Sequence, residues 1–287
     1  MNAPGAAIAA GAKKLLACDL DGTLISNHGS ISACAMRALR TAHRAGWTVV
    51  ISTGRSIAML PGRLRRSRAV DAYITSNGAR VVLRGGKTLF LRPIPRGAAL
   101  PVWTALTERG AAANVFFDGK ALFVRHAYAK MDAARKMPAF VRLGMLLRFL
   151  PHSRPERGIR RRICKHDTDI EKIGGVFTSE KAAGEARAQI GKLGGLTVLT
   201  TQGNDIEVTA GDASKGSALM QLCERFGISR KDVTVCGDSG NDLSMRAYCG
   251  VFVAPRNASR DVLAVADVIT DDAKKEGVAK WLLENLK

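Results

Sequence analysis

The feature that most constrains this chain is an apolar run that ends in two aspartates. The run Leu15–Cys18 has the length and composition of a buried parallel strand, and Asp-x-Asp-Gly-Thr follows it over Asp19–Thr23. Side chains two residues apart on an extended backbone point to the same side, so both carboxylates are expected at the carboxyl edge of a sheet. Open α/β sheets bind their ligands at that edge. Crowded carboxylates repel each other, and a divalent metal bound between them is the simplest way to neutralise their charge.

Strands and helices alternate in the first and last parts of the chain. The first helix is predicted to begin at Ser32, a favourable N-cap, and to end before Gly46. The predicted strands are 15–20, 48–53, 72–76, 233–236, 250–254 and 268–270, and the predicted helices are 32–45, 56–66, 215–226, 242–248, 259–266 and 276–286. Strands separated by helices pair in parallel through right-handed crossovers. This predicts an α/β fold with a Rossmann-like, doubly wound parallel sheet as its core.

The middle of the chain follows a different pattern. Apolar runs predict one hairpin over 79–91 around Gly85-Gly86 and another over 114–124 turned at Asp118-Gly119. Helices are predicted over 129–150 and 180–193, and strands over 175–178, 196–199 and 206–209. We therefore expect an inserted α+β cap domain at 77–205, a catalytic core formed by 13–76 with 206–287, and a flexible tail at 1–12.

Composition indicates a globular protein of a reducing compartment. Hydrophobic residues make up 46% of the chain, yet no apolar run reaches the roughly 18 residues of a membrane-spanning helix. The Ala/Gly-rich start lacks the basic and leucine-rich regions of a signal peptide. The six cysteines show no C-x-x-C spacing, so free thiols and a cytoplasmic location are the simplest expectation.

The formal charge of +19 is large and unevenly distributed. Residues 80–200 hold 23 Lys and Arg but only 9 Asp and Glu. Such a field attracts phosphorylated metabolites, nucleic acid or acidic lipid, and a plain solvated basic surface is the alternative. An aromatic content of 5% leaves few side chains on which nucleic-acid bases could stack, and no known nucleic-acid motif is present, which argues against nucleic acid as a partner. The sequence does not indicate an oligomeric state.

Two segments of the predicted cap leave alternatives open. The run 140–150 is apolar with arginines six residues apart, which fits an amphipathic helix or a contact with a membrane surface. The run 154–165 holds five arginines among its basic residues and is interpreted as a solvated loop or as a grip for a second anionic group of a substrate.

Three further motifs lie where a predicted strand ends or a helix begins. Thr53-Gly54-Arg55 ends a strand with a hydroxyl and a glycine amide that a ligand can approach closely. Lys215 opens a helix, where its charge is unfavourable unless an anion docks there. Gly237–Asp242 wraps two carboxylates and an amide into a glycine-containing loop, an oxygen-rich set that suits Mg²⁺ rather than zinc.

The order of these four motifs resembles that of the haloacid dehalogenase superfamily. Ser76-Asn77-Gly78-Ala79, Glu276-Gly277-Val278-Ala279 and the cap-like inset narrow the likeness to the Cof-like sugar-phosphatase branch, which has a large α/β cap. The resemblance covers nearly the whole chain after about Lys13 and is weak in the cap.

The resemblance implies a role for each matching residue. Asp19 would be the nucleophile that forms an aspartyl-phosphate, and Asp21 the general acid and base, with a raised pKa. Mg²⁺ would be held by Asp19, the backbone carbonyl of Asp21 and Asp238, with Asn241 and Asp242 completing or orienting that set. Thr53, the Gly54 amide and Lys215 would hold the phosphoryl oxygens, and Asn77 would lie on the substrate side.

The resulting hypothesis is a Mg²⁺-dependent phosphatase that acts on a small phosphorylated metabolite, a sugar phosphate by the resemblance. A sugar phosphomutase or other phosphotransferase of the same superfamily is the nearest alternative, since its motifs look alike. A basic nucleic-acid-binding protein built on an inactive core is the alternative from another class.

Overall fold

A computed structural model describes residues 14–26, 30–125, 152–166, 169–200 and 203–286. The chain divides into two compact units, which we call the core unit (Met1–Leu91 with Ala213–Lys287) and the inserted unit (Arg92–Asp212). The predicted tail at 1–12 and the predicted helix 129–150, which contains the run 140–150 with its two interpretations, lie outside the described residues.

The described residues form fourteen strands and eight α-helices. The strands are β1 Lys14–Asp19, β2 Trp47–Ser52, β3 Ala72–Thr75, β4 Arg80–Leu83, β5 Thr88–Leu91, β6 Ala112–Phe117, β7 Lys120–Val124, β8 Ser153–Arg154, β9 Ile170–Val176, β10 Leu196–Leu199, β11 Asp205–Ala210, β12 Val233–Cys236, β13 Val251–Pro255 and β14 Val268–Thr270. The helices are α1 Ala33–Arg44, α2 Gly62–Arg65, α3 Ala99–Thr107, α4 Glu156–Lys165, α5 Glu180–Gly191, α6 Lys215–Phe226, α7 Arg260–Val265 and α8 Gly277–Asn285. None of the described helices is long and apolar enough to cross a membrane.

The core unit is built on an eight-stranded sheet in the order β14-β13-β12-β1-β2-β3-β4-β5. The strands from β14 to β3 pair in parallel, and β4 and β5 add an antiparallel edge. Alternate residues of β1 enter two different apolar clusters: Leu16 packs with residues of α1 and α8, and Leu15 packs with residues of α6 and α7. Helices thus cover both faces of the sheet, and the predicted doubly wound α/β core is confirmed.

The boundary between the two units differs from the predicted one. The hairpin β4–β5, which the sequence analysis placed in the inset, pairs with β3 and extends the core sheet, with Ala72 opposite Leu83. Conversely, β11 falls largely within the residues 206–287 that were predicted to belong to the core, but it lies between β10 and β9 in the other sheet. The division therefore falls after Leu91 and after Asp212 rather than at 77 and 205. Adjacent strands joined by a short turn pair with their neighbours, and this local pairing decides which sheet they enter.

The inserted unit has a six-stranded sheet in the order β10-β11-β9-β6-β7-β8, with α3, α4 and α5 packed against it. Trp103 of α3 is fully buried in its apolar core. The predicted hairpin turn is present, since Asp118 and Gly119 both adopt positive φ (49° and 67°) between β6 and β7.

The basic run 154–165 is not the predicted loop. It forms β8 and the helix α4, because Ile159 and Ile163 are spaced four residues apart and both enter the core of the inserted unit. Arg157, Arg160 and Arg161 are exposed. The predicted loop is therefore a helix with an exposed basic face, and the grip for a second anionic group of a substrate stays a prediction.

Some predicted helices and strands differ in their bounds. The predicted helix 56–66 is interrupted at Pro61, since the preceding Leu60 is extended (φ −68°, ψ 145°), and only a 3-10 turn and the short α2 remain. Residues 243–248 form a 3-10 helix rather than an α-helix, the strand predicted at 175–178 is β9 at 170–176, and α3 was not predicted.

Candidate active site

The carboxyl edge of the parallel strands gathers the predicted motifs. Cys18 of β1 is level with Cys236 of β12, and Asp19 is level with Ser52 of β2. The loops that begin with Thr53 and Gly237 therefore leave the sheet on either side of Asp19. The chemistry-bearing ends of three strands meet at one place because parallel strands end at the same edge.

Lys215 joins two of the carboxylates at this edge. Its Nζ lies 2.6 Å from Oδ1 of Asp19 and 2.7 Å from Oδ1 of Asp242, and the lysine side chain is only 1% exposed. The residue opens α6, whose start is fixed by a reciprocal capping pair between Ser214 and Ser217. The two carboxylates compensate a cation that the helix dipole and burial would otherwise disfavour.

Three carboxylates share this site with one ammonium group. Oxygens of Asp19, Asp238 and Asp242 lie within 4.8 Å of one another. Burial raises the pKa of Asp19 well above its usual range, and Asp242 and Asp238 add to the rise although Lys215 opposes it. Burial and the neighbouring Asp242 raise the pKa of Asp238 to about 6. For Lys215, burial lowers the pKa, but Asp19 and Asp242 outweigh it and the net shift is upward.

The excess of negative charge makes this cluster a candidate site for a divalent cation. Oδ2 of Asp19 is buried and receives no hydrogen bond from any residue in the described part of the chain. A buried carboxylate oxygen without a partner, in a cluster of hard oxygen donors that is short of positive charge, suits Mg²⁺. The residues therefore fit the metal that the sequence analysis expected.

Hydrogen bonds hold the loop 237–242 in shape. Oδ2 of Asp242 accepts from the backbone N–H of Asp238 (3.1 Å) and of Ser239 (3.0 Å), and Oδ1 of Asp238 accepts from the Thr23 hydroxyl (2.8 Å). Gly22 has a φ of +87°, and a Cβ there would overlap the Asp238 carboxylate. Only glycine allows the turn after β1 to approach Asp238 this closely.

Asp21 is paired with Arg55. Nε of Arg55 donates to Oδ2 of Asp21 at 2.7 Å, and the terminal nitrogen Nη2 donates to Oδ1, so the pair is bidentate. The Asp21 side chain is 31% exposed, whereas Arg55 is 12% exposed. The sequence analysis gave Arg55 no role, although the residue stood in the Thr-Gly-Arg motif, because the sequence did not show that its partner is Asp21.

Thr53 and Asn77 lie at the start of neighbouring turns. Thr53 is buried, and its Oγ1 accepts from the N–H of Arg55 at 3.2 Å, which leaves its own proton available to a ligand. Asn77 has a positive φ of 57°, donates its N–H to Thr53 O, and accepts from Nδ2 of Asn241 at 3.3 Å. Asn77 thus links the Thr53 turn to the loop of Asn241. Gly54 is half-buried beside Thr53.

The core unit therefore brings together Asp19, Asp238, Asp242 and Lys215 in direct contact, with Thr53 and Asn77 on adjoining turns. Asp21 lies beside this cluster in sequence, and its carboxylate is bound by Arg55 instead. The catalytic, metal and phosphate roles of these residues stay predictions.

Comparisons with known proteins bear on this arrangement. The sequence model of a family described as haloacid dehalogenase-like hydrolase matches residues 16–282. Phosphatase YwpJ of Bacillus subtilis strain 168 is 28% identical over 283 residues, covering 94% of this chain and 98% of that protein. The 5-amino-6-(5-phospho-D-ribitylamino)uracil phosphatase YcsE of the same organism is 28% identical over 278 residues, covering 94% and 96%.

Solved structures share the fold. The haloacid dehalogenase subclass IIB sugar phosphatase BT4131 has a TM-score of 0.75 at 22% identity, covering 94% of this chain and 98% of that one. TM0651 from Thermotoga maritima has a TM-score of 0.74 at 21% identity, covering 94% and 97%. At these identities the likeness establishes the fold alone.

Proposed function

We propose that this chain, which belongs to the haloacid dehalogenase-like hydrolase family and is a phosphatase of that family, uses Asp19 and Mg²⁺ to hydrolyse a small phosphorylated metabolite. The observation that carries the proposal is the contact of Lys215 with both Asp19 and Asp242. That contact leaves the second oxygen of Asp19 without a hydrogen bond from a described residue.

Asp19 acts as the nucleophile in this proposal. Lys215 fixes the orientation of the Asp19 carboxylate, and one of the carboxylate oxygens attacks phosphorus while the bond from phosphorus to the leaving oxygen breaks. The product is an aspartyl-phosphate and an alkoxide that takes up a proton. Water then attacks the phosphoryl group, releases inorganic phosphate and restores the Asp19 carboxylate.

Asp21 moves the proton in both steps. The protonated carboxyl donates to the leaving alkoxide, and the resulting carboxylate accepts a proton from the attacking water. The bidentate contact with Arg55 fixes the direction of the carboxylate. Arg55 therefore acts as a positioning residue for Asp21.

The remaining residues bind the phosphoryl oxygens and the metal ion. The Thr53 hydroxyl, the Gly54 amide and the Lys215 ammonium are donors for the oxygens of the transferring phosphoryl group. Asp19, the Asp21 carbonyl and Asp238 would hold Mg²⁺, with Asn241 and Asp242 orienting that set. When bound, the metal supplies neutralisation of the negative charge that nucleophile and phosphate bring together.

A sugar phosphate is the substrate class that we propose. One relative is named for a 5-phospho-D-ribitylamino compound and one structural neighbour is named a sugar phosphatase. We propose that the inserted unit acts as the cap of this enzyme and that the protein is cytoplasmic, in line with its six free cysteines. A panel of phosphorylated metabolites, read as inorganic phosphate, tests the substrate class. If hexose 1-phosphate is isomerised without phosphate release, the protein is a mutase instead.

The decisive experiment uses a generic aryl phosphate. Asp19→Asn should abolish phosphate release, and chelation of divalent metal should silence the wild type reversibly, with activity returning when Mg²⁺ is added. Asp261→Asn is the matched control, since Asp261 is exposed on α7 and should retain full activity. Turnover by Asp19→Asn near the wild-type rate would refute the proposed nucleophile.

A further inference from the structure

A second cationic site lies in the core unit, away from the carboxylate cluster. A cleft of about 610 Å³ is lined by four arginines and a histidine, which we call the arginine cleft: His43, Arg65, Arg66, Arg68 and Arg84. Its residues come from the end of α1, from α2 and the segment after it, and from the β4–β5 turn. Neither the catalytic proposal nor the sequence motifs use any of them.

The arginine cleft lies toward the opposite edge of the sheet from Asp19. His43 and Arg84 contact Asp71, which directly precedes β3 and whose N–H donates to the carbonyl of Val49 of β2. Asp71 is thus level with Val49, three residues before Ser52, and Ser52 is level with Asp19. Three residues of strand correspond to roughly 10 Å along the sheet. A ligand in the cleft therefore does not compete for the catalytic carboxylates.

The charges of the cleft are poorly balanced by the protein itself. Asp71 is 5% exposed and contacts both Arg84 (3.4 Å) and His43 (3.3 Å), and its Oδ2 also accepts from the N–H of Val49. Arg65, Arg66 and Arg68 are exposed and make no ion pair with any residue that the structure describes. Three guanidinium groups on one short segment thus lack an acidic partner in the described part of the chain.

The backbone that carries these arginines is firmly held. The Tyr73 hydroxyl donates to the carbonyls of Leu64 (3.0 Å) and Arg65 (3.4 Å), and Leu64 is fully buried. The Arg84 guanidinium donates to the carbonyl of Arg68. A mobile solvated loop would not be tied to the core at three points in this way. The segment presents its guanidinium groups from a fixed frame, which lowers the entropic cost of binding an anion.

The lining determines the class of ligand. Guanidinium groups bind phosphate oxygens in bidentate fashion, and several of them together select a ligand with several phosphates. Beside the arginines and His43, the lining consists of Ser67 and Gly85, with no aliphatic side chain and no Phe, Tyr or Trp. Such a surface recognises charge rather than an organic body, and it offers no platform on which a nucleic-acid base could stack.

We propose that the arginine cleft binds a compact oligophosphate, meaning a ligand with two or more linked phosphate groups. The site is independent of the hydrolytic centre, so the ligand is held there and not turned over. Phosphate groups attached to a nucleoside and free inorganic chains share this chemistry, and nucleic acid is the competing occupant that the experiment must separate.

Binding of inorganic tripolyphosphate, measured by titration calorimetry, tests the proposal. Asp19→Asn protein in the presence of a chelator prevents hydrolysis of the probe. The variant R65Q/R66Q/R68Q removes the three unpaired guanidinium groups and should weaken binding at least about tenfold. The variant R157Q/R160Q/R161Q removes the same charge from exposed positions of α4 in the inserted unit and should change the affinity less than about twofold. Equal weakening by both variants, or no binding to the parent protein, overturns the proposal.

Two further measurements separate the remaining explanations. When Asp19 is left unchanged, R65Q/R66Q/R68Q should have the same kcat/KM for an aryl phosphate and the same melting temperature as the wild type, since the three side chains are exposed. Competitive inhibition by tripolyphosphate that persists in this variant would place the probe at the catalytic centre and overturn the proposal. A nucleoside triphosphate should bind like tripolyphosphate. A single-stranded RNA that binds while tripolyphosphate does not would show a nucleic-acid surface instead.

Discussion

The ammonium nitrogen of Lys215 lies 2.6 Å from Oδ1 of Asp19, although 196 positions of sequence separate the two residues. The same nitrogen contacts Asp242, so one lysine is shared by two buried carboxylates. This contact sets the orientation of Asp19 and leaves its second oxygen free of hydrogen bonds from the described residues. The electrostatics of the site and the proposed nucleophile both depend on it.

Lys215→Met should lower kcat for an aryl phosphate at least about 100-fold, because the phosphoryl oxygens and Asp19 lose their nearest cation. It should also lower the free energy of unfolding by about 3 kcal/mol, since buried carboxylates are left unpaired. Steady-state kinetics and chemical denaturation measure the two effects. The control Lys280→Met changes an exposed lysine of α8 and should alter neither quantity. Activity within a few-fold of the wild type would contradict the assignment.

Arg55→Gln should lower kcat by about 10- to 100-fold with a smaller change in KM, because Asp21 loses the bidentate partner that directs it. Arg63→Gln, at an exposed position eight residues later, serves as the matched control. Arg55→Lys should restore little, since an ammonium cannot reproduce the two parallel hydrogen bonds. An unchanged kcat in Arg55→Gln would show that the contact has no part in catalysis.

Gly22→Ala should inactivate the enzyme, since the added Cβ overlaps the Asp238 carboxylate and must displace it. The control is Gly46→Ala, whose φ of +85° nearly equals the +87° of Gly22 but which has nothing within 4 Å of an added Cβ. Both variants should lose about 1 kcal/mol of stability from the left-handed backbone. Only Gly22→Ala should lose phosphatase activity as well. Comparable activities in the two variants would mean that the close approach to Asp238 is not needed.

Asp238 should make the metal-free protein less stable as the pH rises. Its pKa of about 6 in the folded state exceeds that of an unfolded aspartate, so the folded state holds the proton longer. The free energy of unfolding should therefore fall between about pH 4 and pH 6, by roughly 1–3 kcal/mol, and stay low above that range.

Asp238→Asn tests this pH dependence with little change of shape, because its amide oxygen can still accept from the Thr23 hydroxyl. In the presence of a chelator, melting temperatures should favour the variant over the wild type at pH 7 but not at pH 4. Adding Mg²⁺ at pH 7 should stabilise the wild type more than the variant. A stability difference that does not vary with pH would exclude Asp238 as the source.

Much of the fold could be predicted because it depends on local pattern. Apolar runs predicted the parallel strands, and the Asp118-Gly119 turn and the helix end before Gly46 followed from residues that accept positive φ. The hairpin 80–91 was assigned to the inset because its own sequence fits either sheet. The hairpin pairs with β3, the strand that precedes it in the chain, but the apolar pattern of the hairpin does not itself show which strand it will pair with.

The same distinction applies to the site. Strand periodicity and glycine-containing turns are properties of a few successive residues, so the sequence by itself determined that Asp19, Lys215 and the loop 237–242 stand at strand ends and a helix start. Which charge meets which was decided only by tertiary structure, as in the pairing of Asp21 with Arg55 and in the unpaired arginines at the opposite sheet edge. The reason is physical: the interaction of two charges depends on their separation and burial, and chain folding sets both between residues far apart in sequence.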